Sequence, residues 1–538
     1  MARELAEVLT RGRRPVPVAQ ALLAGLIAAM AFGAYLARTD FHVLPREDVI
    51  ECVVAAEQIN AGEGMTTRVI SPSVLSFLQE RGRSQPPWPN LLRSPLPCLT
   101  IAWLMRVTSQ AGAVALSSGI FFVLSVPLIF AIAYRLAGRA ARWLAAITYT
   151  VSRAGLWFGS TGLNESATIF ALAGIVWCLM PPLGWRACLA AGVFAGVGYL
   201  ARSTFTLWAL LMVLYILWQS RSGGLGRALG HAVIFCLPLA TAWWWWGATL
   251  GAMTGEFGAS GQDDIIIRLD TDLYPGRSAS LVLEHWTPLE FVRRHPGEVA
   301  RKYGRIATQT WPWLLDIGAM PMLMAFFAAE LFLVLTRARR VTVQWLVYAL
   351  IAFQALLVPL ASEGHGGVGP NRYLDPLGPV AAAVGAAFAV EMLRRFNVPV
   401  RLAGPGMALV VLLTAVPVLF NLAVGPYHRP ALERARATGE LIAARAAPGD
   451  ILASTDAAVD AWTCGLHAIY LPTTPEDLQR MRTMIEVDWV RVRALGGDLS
   501  PRTAAWEPII TGEAQLEGYE RAEPLPDGSV LLRRSQVE

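Results

Sequence analysis

Between Val18 and Val424 the chain returns repeatedly to apolar runs close to the length that a bilayer crossing needs, about 17–25 residues. Short turns separate most of them, and most of those turns carry arginine. No soluble architecture buries so many such runs in one core. The composition agrees: 54% of residues are hydrophobic and 16% charged, against roughly 25% charged in an average soluble domain. Mean hydropathy is +0.45. Lys302 is the sole lysine, so nearly all the positive charge is guanidinium. No basic block interleaved with aromatics points to nucleic acid.

The runs predict about eleven transmembrane helices, over residues 18–37, 113–134, 141–160, 166–181, 187–201, 204–219, 229–249, 313–336, 342–361, 376–393 and 404–424. The first is too long for the apolar core of a signal peptide and reads as a retained span. The apolar piece from Pro95 to Met105 is too short to cross and reads as re-entrant or interfacial. On that reading Arg11, Arg13, Arg14, Arg135, Arg139, Arg142, Arg186, Arg221, Arg227, Arg337, Arg339, Arg340, Arg394, Arg395 and Arg401 share one side. The positive-inside tendency makes that side, and the N-terminus, cytoplasmic.

The opposite side then receives a first loop over 38–112, a second over 250–312 and a C-terminal region over 426–538. The tryptophans at 243–246, 311 and 313 fit an interfacial belt there. In the first loop Ile50, Val53, Val54 and Ile59 have helical spacing, with Gly62 as the stop. This stretch and those opening at Thr287 and His295 read as helices lying on the membrane surface. The C-terminal region reads as a small α/β domain. It has a helix over Ala431–Ala446, strands near Ile451–Ser454, Ala468–Leu471, Trp489–Val492 and Ser529–Leu532, and a helix capped by Thr474. The fold class is thus mainly α: a polytopic membrane bundle over 1–425 with an external α/β domain. None of the six cysteines forms a zinc spacing. Cys52 and Cys98 fall in one external region, where a disulfide is open to them.

Four places carry candidate chemistry. Glu47-Asp48, followed by Glu51 one helical turn on, follows a proline at a helix start. The helix dipole alone favours carboxylates there; three so close would also raise one another's pKa, as a general base requires. Asn164-Glu165 lies between two spans on the same side, either as a turn or as an ionisable group at a membrane edge. Arg153, Arg202 and Arg372 run against the charge bias. Guanidinium grips phosphate in a bidentate manner; the plainer reading is a pair with a carboxylate such as Glu165, or snorkelling to water. Phosphate binding is the preferred reading for Arg372 and the plainer one for Arg153, and both stay open for Arg202. His365 sits in a glycine-rich loop where it could touch a ligand.

Together these landmarks resemble the GT-C glycosyltransferases, in particular the aminoarabinose-transferase and protein O-mannosyltransferase-like branch. Glu47-Asp48, Glu51, Ala55 and Gly62 occupy the frame in which that family has an acidic pair, an aromatic, an alanine and a glycine. Here the order of the pair is reversed and Glu51 replaces the aromatic. Arg93-Ser94-Pro95-Leu96-Pro97 is similar to the family's proline-rich entry to the second span. Gly196–Arg202 is similar to its glycine-containing helix ending in a basic residue, and Arg372-Tyr373-Leu374-Asp375-Pro376 to its Arg-Tyr-x-x-Pro element.

The resemblance implies an inner-membrane enzyme that moves a sugar from a polyprenyl-phosphate donor to an acceptor hydroxyl outside the cytoplasm, with inversion. The acceptor would be a sugar, lipid or protein. Glu47 or Asp48 would be the base, Glu165 would orient the acceptor or an arginine, Arg372 helped by Arg202 would hold the leaving phosphate, and Tyr373 and His365 would complete the substrate- or phosphate-binding set. A divalent metal stays open because the oligosaccharyltransferase relatives use one. A lipid or anion transporter and a non-catalytic lipid-binding scaffold are the alternative readings.

Overall fold

The computed structural model describes residues 16–39, 47–258, 266–275, 279–284, 286–336, 343–361, 371–424, 429–493, 503–522 and 525–535. The chain is mainly helical and is a multi-pass membrane protein. Among the described residues, six helices are long and apolar enough to cross a bilayer. In chain order, α1 is Val18–Thr39, α2 Glu47–Ala61, α3 Pro72–Gln79, α4 Pro95–Leu104, α5 Gln110–Ala137 and α6 Arg139–Val151. Then come α7 Glu165–Leu179, α8 Trp185–Ala201, α9 Phe205–Ser220, α10 Leu225–Thr254, α11 Pro288–Arg294 and α12 Pro296–Thr310. The bundle closes with α13 Pro321–Thr336, α14 Val343–Ala361, α15 Gly378–Arg395 and α16 Val400–Val424.

Small residues bring the helices close. A Cβ on Gly25 would stand 3.1 Å from Pro127, and one on Gly119 would strike the Phe32 ring, so α1 lies flush on α5. Gly192 sits against the α10 backbone at Phe235, and Gly385 against the α13 backbone at Leu323. Without a hydrophobic force between helices in lipid, such close packing is what holds them. The outer helices keep their leucines outward: Leu402, Leu409, Leu412 and Leu419 of α16 are exposed, as a lipid-facing surface requires.

The span expected at 141–160 is interrupted. Ser152 ends α6, and a π-turn over Arg153–Trp157 follows, which lets Arg153 reach Asp375 at 3.3 Å. Asp375 also accepts the Gly318 N–H at 2.8 Å. The pair expected for Arg153 exists, with Asp375 rather than Glu165 as its partner. α4, ten residues long, is too short to span, in keeping with the re-entrant or interfacial reading.

The first loop does not lie on the surface as expected. Val49 to Ala56 of α2 are all buried, because α4 and the C-terminal segment cover both sides of the helix. Asn60 donates to the Ala102 carbonyl of α4 at 2.9 Å. From the other side comes the C-terminal segment: α17 Arg429–Ala443, β4 Ile451–Ser454, α18 Ala457–Cys464, β5 His467–Tyr470, α19 Pro475–Arg482, β6 Trp489–Val492, β7 Tyr519–Arg521 and β8 Val530–Arg534. Its strands join one sheet of order β2-β5-β4-β6-β8-β7. β2, Val69–Ile70, comes from the first loop and pairs in parallel with Ala468 and Ile469 of β5. The remaining first-loop strands, β1 at Thr66–Thr67 and β3 at Trp88–Pro89, pair antiparallel with each other. Gln110 at the start of α5 accepts from Trp462 of α18 at 3.0 Å and donates to Glu57 of α2 at 2.9 Å.

The glycine contacts give a direct test. Gly385→Ala, whose methyl would meet α13 backbone, should destabilise the detergent-solubilised protein by about 1–3 kcal/mol, the usual cost of overpacking. Gly404→Ala, with nothing within 4 Å, should leave its thermal midpoint unchanged or slightly raised.

Candidate functional site

The site is built where α2, α7 and the start of the α15 span converge. The turn before α7 is locally determined. Gly162 has φ +74, and a Cβ there would strike Val114, so glycine is required. Its N–H donates to Ser118 Oγ at 2.9 Å, and Ser118 donates to the Gly159 carbonyl at 2.8 Å. Asn164 then donates to the Ala201 carbonyl at 2.9 Å, tying this turn to the one that ends α8. Glu165 follows as the first residue of α7, wholly buried.

Arg372 holds the centre. Its Nε donates to Glu165 Oε1 and its Nη1 to Asp48 Oδ2. Arg93 lies beyond Asp48, with Nη2 at 2.5 Å from Asp48 Oδ1 and Nε at 2.5 Å from Glu51 Oε2. Glu51, 3% exposed, takes its second partner from the C-terminal segment: the Tyr470 hydroxyl donates to Glu51 Oε1. The order is therefore Glu165, Arg372, Asp48, Arg93, Glu51, Tyr470. Burial disfavours the Arg93 charge, but Asp48 and Glu51 outweigh it and hold its pKa well above the ordinary arginine value.

Arg202 stands beside this chain. It lies in the turn after α8, with its guanidinium 5.0 Å from the centre of the Tyr373 ring. It is 8% exposed, yet its Nη1 has no hydrogen-bond partner among the described residues. Glu165 Oε2, Asn164 Oδ1 and the Ser166 and Thr204 hydroxyls are also buried without a partner there. Burial lowers the Arg202 pKa, and Glu165 only partly offsets it. Buried polar groups are normally paired; the two turns, tied to each other, hold several polar atoms that a polar ligand could satisfy.

Of the residues singled out from sequence, Asp48, Glu165, Arg372, Tyr373 and Arg202 come together. The side chain of Glu47 and the whole of His365 lie outside the described residues. Arg372, expected as a phosphate ligand, is paired with two carboxylates, Asp48 and Glu165. Arg93 and Tyr470 were not anticipated as site residues. A first-loop arginine with no carboxylate nearby in sequence was the available signal for Arg93; nothing in a short strand signalled Tyr470. Cys52 and Cys98 stand side by side as buried free thiols, not a disulfide. Their mutual hydrogen bond, with burial, raises the Cys52 pKa well above the thiol value.

The donor set does not suit a metal ion. No three His, Cys, Asp or Glu side chains gather for one among the described residues, and Asp48, Glu51 and Glu165 each already face a guanidinium.

No family model matches the sequence, and no curated protein does. Solved structures do. ArnT from Cupriavidus metallidurans bound to undecaprenyl phosphate aligns over 97% of this chain and 99% of its own, with a TM-score of 0.55 at 11% identity. The same protein in the apo state gives 0.53 at 11% identity over 96% and 97%. The Archaeoglobus fulgidus oligosaccharyltransferase in complex with Zn and sulfate gives 0.51 at 12% identity over 95% of this chain and 73% of its own. The chain has the GT-C fold of these membrane enzymes.

The burial of Glu165 makes its pairing testable. Arg372→Ala should destabilise the protein by about 3–5 kcal/mol by leaving a buried carboxylate unpaired. Arg372→Ala combined with Glu165→Gln should recover part of that loss, as read from thermal midpoints in detergent.

Proposed function

We propose that this protein is a glycosyltransferase of the EC 2.4 class that uses a polyprenyl-phosphate-linked sugar. It would work in the cytoplasmic membrane with its N-terminus in the cytoplasm, and the acceptor hydroxyl would be presented on the outer face, where the carboxylate network lies. The observation that carries this reading is the convergence of Asp48, Glu165 and Arg372 next to Arg202, a buried guanidinium with an unpaired donor. The likeness to ArnT, solved with undecaprenyl phosphate bound, supports the donor class.

The chemistry follows from the charges. The donor's phosphate meets Arg202 first, since its Nη1 is unengaged. It then competes with Asp48 for Arg372, because a phosphate oxygen is as good a partner for the guanidinium as a carboxylate. Asp48, released from one of its two cations, regains basicity and takes the proton of the acceptor hydroxyl. The acceptor oxygen attacks the anomeric carbon from the face opposite the phosphate. The carbon–oxygen bond to phosphate breaks, and the polyprenyl phosphate leaves as an anion held by Arg202 and Arg372. Glu165 keeps Arg372 in place throughout. Attack from the opposite face inverts the anomeric centre. Tyr373 carries Arg202 on its ring and so fixes the phosphate's seat. Sugar, lipid or protein acceptors all offer the hydroxyl this scheme needs.

One observation favours a second reading, a GT-C-fold scaffold that binds lipid without turnover: both oxygens of Asp48 are already engaged by arginine. Purified protein with radiolabelled polyprenyl-phosphate sugars separates the two. The transferase releases polyprenyl phosphate, and Asp48→Asn lowers kcat by about 10²–10⁴-fold, the usual worth of a general base. Arg202→Gln raises KM for the donor. Full turnover by Asp48→Asn would remove Asp48 from the chemistry, and no turnover by the unaltered protein with any lipid-linked sugar would favour the scaffold.

A further inference from the structure

The C-terminal segment does more than cap the bundle. Its β5 is hydrogen-bonded to first-loop β2, with Ala468 N donating to the Arg68 carbonyl at 2.7 Å. Tyr470, the last residue of β5 and 4% exposed, is thereby held over α2, where its hydroxyl reaches Glu51. Glu51 sits one helical turn after Asp48, so both carboxylates share a face of α2 and both bind Arg93. The two are therefore competitors for one guanidinium. With Tyr470 satisfying Glu51 Oε1, Glu51 needs only Nε of Arg93 and leaves Nη2 to Asp48.

We propose that Tyr470 is a positioning residue for the transferase site, acting through Glu51 and Arg93 to fix how Asp48 is shared between Arg93 and Arg372. This rests on the transferase reading. In this chain a carboxylate stands at position 51, and the C-terminal segment supplies the phenol that completes its pairing. Removing the hydroxyl leaves a buried acceptor unpaired, and Glu51 turns to the remaining donors of Arg93 to satisfy it. Asp48 then loses one of its cations and drifts toward Arg372. With one positive neighbour fewer, its carboxylate holds a proton more tightly.

The test compares Tyr470→Phe with Trp462→Phe in the full-length protein in lipid nanodiscs. The second variant removes a different side-chain contact of the C-terminal segment, the 3.0 Å bond from Trp462 to Gln110 of α5, without touching the carboxylate chain. Tyr470→Phe should lower kcat about tenfold, within the roughly hundredfold that a misplacement of about 1 Å can cost. KM for the donor should change less than kcat. The acid limb of its kcat/KM profile should move up by about one pH unit. Trp462→Phe should keep the parent kcat and pH profile. A Tyr470→Phe profile superposable on the parent's, or the same loss in both variants, would overturn the proposal. If the unaltered protein turns over no lipid-linked sugar, the transferase reading fails, and the linkage is judged from thermal midpoints of Tyr470→Phe, Asp48→Asn and the double variant. Effects that do not add, between residues that the structure links through Glu51 and Arg93, support it; strict additivity overturns it.

Discussion

The structure depends on a single cation held by two anions from distant parts of the chain. Arg372 binds Asp48 and Glu165, which lie 324 and 207 positions away in sequence. In a low-dielectric surrounding each of these charges alone would be costly, and together they stabilise one another only in the assembled geometry. The first loop, the α7 turn and the late span must therefore arrive at one place. Arg93, Arg202 and Arg372 face Asp48, Glu51 and Glu165, so the charges of the network balance. Arg202 stands nearby, and its Nη1 has no hydrogen-bond partner among the described residues.

A second constraint comes from the sheet. β2 contributes only two residues, yet it makes the first loop an edge strand of the sheet formed by the C-terminal segment. Backbone pairing of this kind fixes register as well as proximity. It sets Tyr470 against Glu51 and encloses α2, a helix whose apolar pattern alone would suit a membrane surface. α2 is thus held by α4 on one side and by the C-terminal segment on the other, and the carboxylates it carries are positioned by both.

Much of the fold was legible because lipid imposes long apolar helices, and their boundaries follow from arginine-bearing turns. The strands at Ile451–Ser454 and Trp489–Val492 appeared where β-branched and aromatic residues predicted them. Asp48, Glu165, Arg202 and Arg372 were legible because each is a charge in a place where charge is expensive. Their pairing was not. Spacing along a sequence says nothing about which of several carboxylates meets which arginine, so neither Asp375 as the partner of Arg153 nor the double pairing of Arg372 could be read there. The parallel pairing of β2 with β5, and with it the role of Tyr470, depends on contacts across some four hundred positions, which local periodicity does not encode.

The central claim is that this network accepts a lipid phosphate by exchanging partners at Arg372 and Arg202. Phosphorus NMR of undecaprenyl phosphate in nanodiscs, titrated with the purified protein, reads that exchange directly. The account predicts a saturable change in the phosphate resonance that is lost when Arg202 is replaced by glutamine and weakened as salt is raised. A resonance unaffected by the unaltered protein, or affected equally when Arg202 and Arg372 are both replaced, would contradict it.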